Sequence, residues 1–308
     1  MIGSRLNIQM TRENYYRRLF ATRAPRPRGL TLIELLLVLL ILAILSGVAI
    51  RMTSGLADQA RYEATQRLLT NLQNAVLGDS TLRQTDGSLI PNGFVNDIGA
   101  PPSAVGSDPS TQLSQLWEIN SLTGNSVQDG SQVNNLTADP TDTNVQLVLG
   151  WRGPYLYLSP GTASLKDGWG NPLSLTFNAG VFQSAVSLGS NNQVSTSQDS
   201  YSANIGTASS NFIADAQGTV LGRVQSWDTA SGTWVTPASS LTVKLFYPIN
   251  GHIARSDTLS DAATGNFSFS NVPVGLRALK VTDPASGNFV IRYVFVTKGG
   301  ANQDLLLK

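Results

Sequence analysis

The 308-residue chain contains no cysteine and one histidine, His252. The first absence excludes disulfides, thiolate metal ligands and a cysteine nucleophile. The second excludes a zinc site built on paired histidines. His252 has Ser256 and Asp257 nearby in sequence, but neighbouring positions do not make a triad geometry. It follows Pro248-Ile249-Asn250-Gly251, where a hairpin loop is expected. No Gly-x-Ser-x-Gly elbow and no phosphate-cradling glycine loop occurs. These residues indicate no enzyme. Charge is also scarce: Asp, Glu, Lys and Arg make up 13% of the chain, and the formal net charge is +1. Once residues 1–29 are removed no basic patch remains to neutralise phosphates, so nucleic acid is not an expected partner.

What charge there is sits unevenly. Arg5, Arg12, Arg17, Arg18, Arg23, Arg26 and Arg28 crowd the first 29 residues against only Glu13, so the remainder carries a formal −5. An apolar run then covers residues 30–50, interrupted by one carboxylate, Glu34. A helix of that length reaches across a bilayer at 1.5 Å per residue. The preceding arginines would hold its start on the cytoplasmic side. An acid inside hydrocarbon costs roughly 2.5–3.5 kcal/mol on insertion scales, so Glu34 needs a partner. A secretory signal is cut after its apolar stretch, whereas the Arg28-Gly29 step precedes it. Cleavage after Gly29 would free an amine at Leu30, and a neighbouring copy staggered by about one helical turn would bring that amine to Glu34.

The segment Gly29-Leu30-Thr31-Leu32-Ile33-Glu34 resembles the prepilin motif of type IV pilins and type II secretion pseudopilins. The resemblance implies cleavage after Gly29 by a prepilin peptidase/N-methyltransferase, methylation of the Leu30 amine, and a role for Glu34 in setting assembly register. Leu30 stands where most relatives begin with Phe. The lack of cysteine, which many type IVa pilins use to close a C-terminal loop, favours the pseudopilins.

Beyond residue 50, Leu56, Ala60, Ala64, Leu68, Leu72 and Val76 recur at every fourth position, predicting continuation of the helix to residue 78 with an apolar face toward a globular head. Gly78-Asp79 marks its end. Residues 80–144 read as loop, with a short helix expected near 112–119. Gly150-Trp151-Arg152-Gly153-Pro154-Tyr155 and Asp167-Gly168-Trp169-Gly170-Asn171-Pro172 read as turns and short strands, with both tryptophans as core anchors. Their arrangement resembles the head of the major type II secretion pseudopilin. That family carries a calcium loop beginning Ser-Leu-Gly, and Ser187-Leu188-Gly189 matches its start. The corresponding acidic positions hold Asn191, Ser202 and Asn204, leaving Asp199 as the only carboxylate nearby. Calcium wants six to eight oxygens with carboxylate charge. The degenerate loop, with Leu188, Asn191, Asp199, Ser202 and Asn204, is therefore expected to close by Asn and Ser hydrogen bonds rather than around calcium.

After a Ser/Asn-rich linker ending near residue 214, alternating segments at 218–224, 241–247, 265–269, 276–281 and 289–296 predict at least five strands of a small β-sandwich. This region resembles carboxypeptidase regulatory-like, transthyretin-type domains, which are not peptidases themselves.

The expected architecture is α+β. A leader (1–29) precedes a long helix (30–78, membrane span 30–50), a pseudopilin-like head with a small antiparallel sheet (79–214), and a separate all-β sandwich (215–308). The expected function is that of a type II secretion pseudopilus subunit, or a subunit of a related type IV filament. It would be held in the inner membrane with its C-terminal domains periplasmic, then assembled by a membrane platform with other pilins or pseudopilins. The alternatives are a minor type IV pilin displaying an adhesive sandwich through Trp227, Trp234 or the loops around Asn250, and a membrane-tethered binding protein that does not assemble. No cofactor is expected, and the sandwich's ligand is left open.

Overall fold

The computed structural model describes residues 31–107, 111–118, 136–139, 142–158, 164–192, 206–207 and 211–308, with backbone alone at 48–54, 136–139 and 206–207. The chain divides into two compact units, Met1–Leu56 and Ala57–Lys308. The architecture is mixed α+β, with few helices and a C-terminal region that is largely β.

Helix α1 (Leu32–Leu77) is continuous, and the division between units falls within it. In the second unit it buries Thr65, Leu69, Leu72, Ala75 and Val76. Of the predicted row, Leu72 and Val76 are buried and Leu68 packs against the head core, whereas Leu56 is 66% exposed and Ala60 and Ala64 are exposed too. A strict spacing of four drifts about 40° per step on a helix of 3.6 residues per turn. Five steps turn the row by about 200°, so its first members face away from the core that its last members enter. The helix ends at Gly78, whose φ of 89° lies in the left-handed region and whose N–H donates to the Asn74 carbonyl at 2.8 Å.

The loop expected over residues 80–144 contains more structure than its punctuation suggested. Helix α2 (Phe94–Ile98) lies between Gly93 and Gly99, and all five of its residues are buried. A single 3₁₀ turn, Ser114–Leu116, stands where the short helix was expected. Strands β1 (Leu136–Asp139) and β2 (Asp142–Val148) form an antiparallel hairpin. In the head, β3 (Ser174–Asn178) and β4 (Val181–Ser187) pair antiparallel, with β5 (Gly206–Thr207) on the far side of β4. Helix α3 (Phe212–Asp215), capped by the Asn211 carboxamide, leads into the β layers. The head core gathers Leu69, Leu72, Phe94, Trp151, Phe182 and Phe212, among others.

The β layers comprise β6 (Gln217–Asp228), β7 (Thr233–Val235), β8 (Thr242–Ile249), β9 (His252–Leu259), β10 (Asn266–Pro273), β11 (Gly275–Thr282), β12 (Phe289–Val296), β13 (Ala301–Asn302) and β14 (Leu305–Leu307). One sheet runs β10-β6-β13, with β7 and β14 also on β6; the other runs β12-β11-β8-β9. Between them lie Val220, Val224, Val243, Leu245, Phe267, Phe269, Leu279, Val281 and Val296. Strand β10 carries a β-bulge between Phe269 and Val272, with Asn271 at φ 56°. One expectation changes. His252 opens strand β9 rather than sitting in a loop, because Asn250 and Gly251, both at positive φ, close a two-residue turn that pairs Ile249 with His252.

Residues 57–308 form one compact unit. The outer face of the β12-β11-β8-β9 sheet is covered by the head's own strand β2. Val145, Leu147 and Leu149 pack there against Phe246 and Ala278.

Candidate functional site

The feature with the most unsatisfied surface is the start of α1. Thr31 caps it: its Oγ1 accepts from the Glu34 N–H at 3.3 Å, and its carbonyl accepts from the Leu35 N–H at 3.1 Å. Thr31-Leu32-Ile33-Glu34 thus has the Thr-x-x-Glu spacing of a capping box. Glu34 lies in the first helical turn, where the positive end of the macrodipole favours a carboxylate. This gives a local reason for an acid at that place, beside the assembly role. The two readings are compatible, because a cap uses the carboxylate's position and leaves its charge available.

From Leu32 to Leu45, twelve large apolar side chains are 45–82% exposed, and those from Leu35 to Leu42 follow one another without a break, so they face every side of the helix. A helix apolar all round belongs in an apolar environment. Each such side chain left in water forgoes roughly 1.5–3 kcal/mol. Among the described residues no helix is long and apolar enough to cross a membrane. Side chains of the expected span are described only up to residue 47. Gly29 and Leu30, the expected processing residues, lie outside the described residues.

In the head, the Asp167-to-Pro172 turn folds around the Asp167 carboxylate. Oδ1 accepts from the N–H groups of Trp169 (3.0 Å) and Asn171 (2.9 Å), and Oδ2 accepts from the Ser187 hydroxyl (2.9 Å). The turn rests on α1: Gly168 N–H donates to Thr65 Oγ1 at 2.9 Å, and a Cβ on Gly168 would stand 2.1 Å from the Arg61 carbonyl oxygen. Glycine is required by that approach, and Thr65 is polar and buried because of it.

The described start of the expected calcium loop is closed by side-chain amides and hydroxyls. Asn171 Nδ2 donates to the Gly189 carbonyl at 2.8 Å, and Gly189 N–H donates to Ser187 Oγ at 3.3 Å. Leu188 and Asn191 lie among the described residues here, and Asp199, Ser202 and Asn204 lie outside them. The nearby Asp167 carboxylate accepts the three hydrogen bonds given above, from Trp169, Asn171 and Ser187. Among the described residues no cluster of three or more His, Cys, Asp and Glu could hold a metal ion.

A buried polar cluster, unforeseen from sequence, ties α2 to the segment after β2. Asp97 Oδ1 accepts from Arg152 Nε at 2.9 Å, from Arg152 Nη2, and from Asn96 Nδ2 at 2.7 Å; Oδ2 accepts from the Tyr155 hydroxyl at 2.7 Å. Burial pushes the Asp97 carboxyl above its ordinary range against the pull of these donors. Burial, then the Asp97 charge, raises the Tyr155 phenol well above its usual value. Trp151, whose Nε1 donates to the Gln115 carbonyl at 2.8 Å, packs edge-on against Tyr155 and is the core anchor its sequence setting suggested. Trp227 and Trp234 face each other across β6 and β7, ring centroids 5.2 Å apart, and are half-buried.

A broad groove of about 730 Å³ lies on the outer face of the β10-β6-β13 sheet, lined by Leu221, Arg223, Leu259, Asn266, Asn302 and Asp304 among others. Its charged groups are largely engaged by their own loops: Arg223 donates to the Thr264 carbonyl and Thr236 Oγ1, and Asp304 accepts from the Arg223 N–H.

Residues 25–50 match the family described as "Prokaryotic N-terminal methylation motif". That match fits a prepilin-like precursor of the type IV pilin and pseudopilin kind. No curated protein matches the chain. A solved structure from Pseudomonas aeruginosa, of a protein suggested to bind carbohydrate, is 16% identical over 30% of this chain and 88% of its own, with a TM-score of 0.22. A likeness that low carries no argument about fold or ligand.

Proposed function

We propose that the chain is a prepilin whose mature form is a subunit of a type II secretion pseudopilus or a related type IV filament. A prepilin peptidase/N-methyltransferase cuts after Gly29 and methylates Leu30. The apolar start of α1 holds the subunit in the inner membrane with the later residues periplasmic. An assembly platform then stacks copies of it, or sister pilins and pseudopilins, head to tail in a contact that does not close. The role is mechanical rather than catalytic, and it uses no cofactor. The observation that carries this reading is the all-round exposure of twelve large apolar side chains directly after a methylation motif. Lipid satisfies that surface before assembly and neighbouring helices satisfy it afterwards. Glu34, paired with a neighbour's Leu30 amine, sets the step. The Asp167 turn seated on α1 through Gly168 supports the pseudopilin form of the head.

A second reading, a minor type IV pilin presenting its β layers as an adhesin, is favoured by the half-exposed Trp227–Trp234 pair. Electron microscopy of overproducing cells, with antibody against residues after Gly218, tests the proposal. Labelled filaments are expected from the wild type and none from Glu34→Leu. An unassembled wild type contradicts the filament reading, and normal filaments from the variant contradict the register role.

A further inference from the structure

Helix α2 holds both parts of the second unit. On the head side, Phe94, Val95 and Ile98 enter the core with Leu72 and Phe182, and Asp97 carries the Arg152–Tyr155 cluster. On the β side, Asn96 Oδ1 accepts from the Leu276 N–H at 2.8 Å, and the Ile98 carbonyl accepts from the Gly251 N–H at 3.0 Å. Arg277 of β11 is 1% exposed, and all of its bonds go to backbone carbonyls: Pro273 (2.8 Å), Leu276 (2.8 Å), Val274, and, across to α2, Asn96 (3.1 Å) and Val95 (3.4 Å). Five donors meet five acceptors, which only a guanidinium supplies. Burial pulls its pKa down to about 9, partly countered by the Asp97 charge. The fit leaves no room: a Cβ on Gly99 would lie 1.9 Å from the Pro248 carbonyl oxygen, and one on Gly275 would lie 2.3 Å from Asn96 Oδ1.

A second clasp sits further along β11. Lys280 Nζ reaches both Asp142 oxygens at 2.7 Å, with both side chains under 10% exposed, beside the apolar seam of β2 on Phe246 and Ala278.

We infer that α2 is a keystone making the head and the β layers one cooperative unit, so that the β layers are carried at a fixed place on the head rather than tethered as an independent domain. The inference rests on contacts within residues 57–308 and holds whether or not the chain forms filaments. It constrains any assembly, since neighbouring subunits must accommodate β layers that cannot swing aside.

Native-state hydrogen exchange on the full chain in detergent tests it. The slowest amides of the head, in α1 residues 69–76 and in β4, and those of β8 and β11 are expected to share one protection level and one denaturant dependence. Asn96→Ala is expected to speed exchange in both sets alike, by roughly tenfold to a hundredfold, as an unpaired buried donor at Leu276 would. If β8 and β11 stay protected in wild type at denaturant concentrations where β4 and α1 have exchanged, or if the variant affects only one set, the inference is overturned. The wild-type comparison decides the matter even if the variant does not fold.

Discussion

Replacing Arg152 with methionine removes the cation facing Asp97 while keeping much of the side-chain volume. The Asp97 side chain is 1% exposed and that of Arg152 is 20% exposed, so water can reach the cation's end of the pair but hardly the anion's. Breaking a buried pair by deleting one partner costs about 3–5 kcal/mol, because the remaining charge is left uncompensated. The partial exposure of Arg152 places the expected loss near the lower end, about 3 kcal/mol at pH 7. The Asn96 and Tyr155 donors remain, so the carboxylate keeps two of its partners. The sign of the pH dependence follows from the direction of the Asp97 shift. Burial already holds its folded pKa above the unfolded value, and losing Arg152 raises it further. An acid with a raised folded pKa takes up its proton in the folded state first, so its cost is fully present at neutral pH and fades as pH falls through the folded value. Relative to wild type, Arg152→Met is therefore expected to recover part of its loss between pH 7 and pH 5. Urea unfolding of the full chain in detergent, followed by tryptophan fluorescence at both pH values, measures this. A loss under about 1 kcal/mol, or an equal loss at both pH values, would refute the reasoning.

Other outcomes follow from the same packing. Gly168→Ala should cost about 1–3 kcal/mol, because its Cβ would force the turn off the Arg61 carbonyl; an unchanged urea midpoint would contradict the close approach. Ala179 sits at φ 49° in the two-residue turn between β3 and β4, ahead of Gly180 at φ 80°. Ala179→Gly should stabilise by about 0.5–1 kcal/mol, read as a higher melting temperature, since the left-handed strain outweighs the entropy of glycine.

The sequence was most legible where one residue type answers one backbone demand. Gly78 stops α1, Asn250-Gly251 turns β8 into β9, and the alternation in Asn266–Pro273 marks β10. It was least legible where long-range contacts decide. α2 is five residues long, too short for helical periodicity to show, and its burial comes from partners as distant as Arg277. Arg277 and Lys280, three apart on β11, lie on opposite faces of that central strand. Lys280 is buried with Ala278 under β2, and Arg277 by its bonds to α2 and to the carbonyls of Pro273 and Val274. β14 pairs in parallel with β6, a pairing that no local turn signal announces. At the candidate site, the charge pattern and Glu34 were plain in sequence. The Thr31-x-x-Glu34 spacing is a local capping signal in the same segment. The four-residue apolar row on α1 meets the head core in its back half, at Leu68, Leu72 and Val76, and the drift of about 40° per step carries its first half into the exposed face.

The central claim is that proteolysis after Gly29 creates the amine that Glu34 needs. Mass spectrometry of the protein purified from its native membranes measures this directly. The account predicts a chain beginning at Leu30 with a methylated amine; recovery of the protein with residues 1–29 still attached would contradict it.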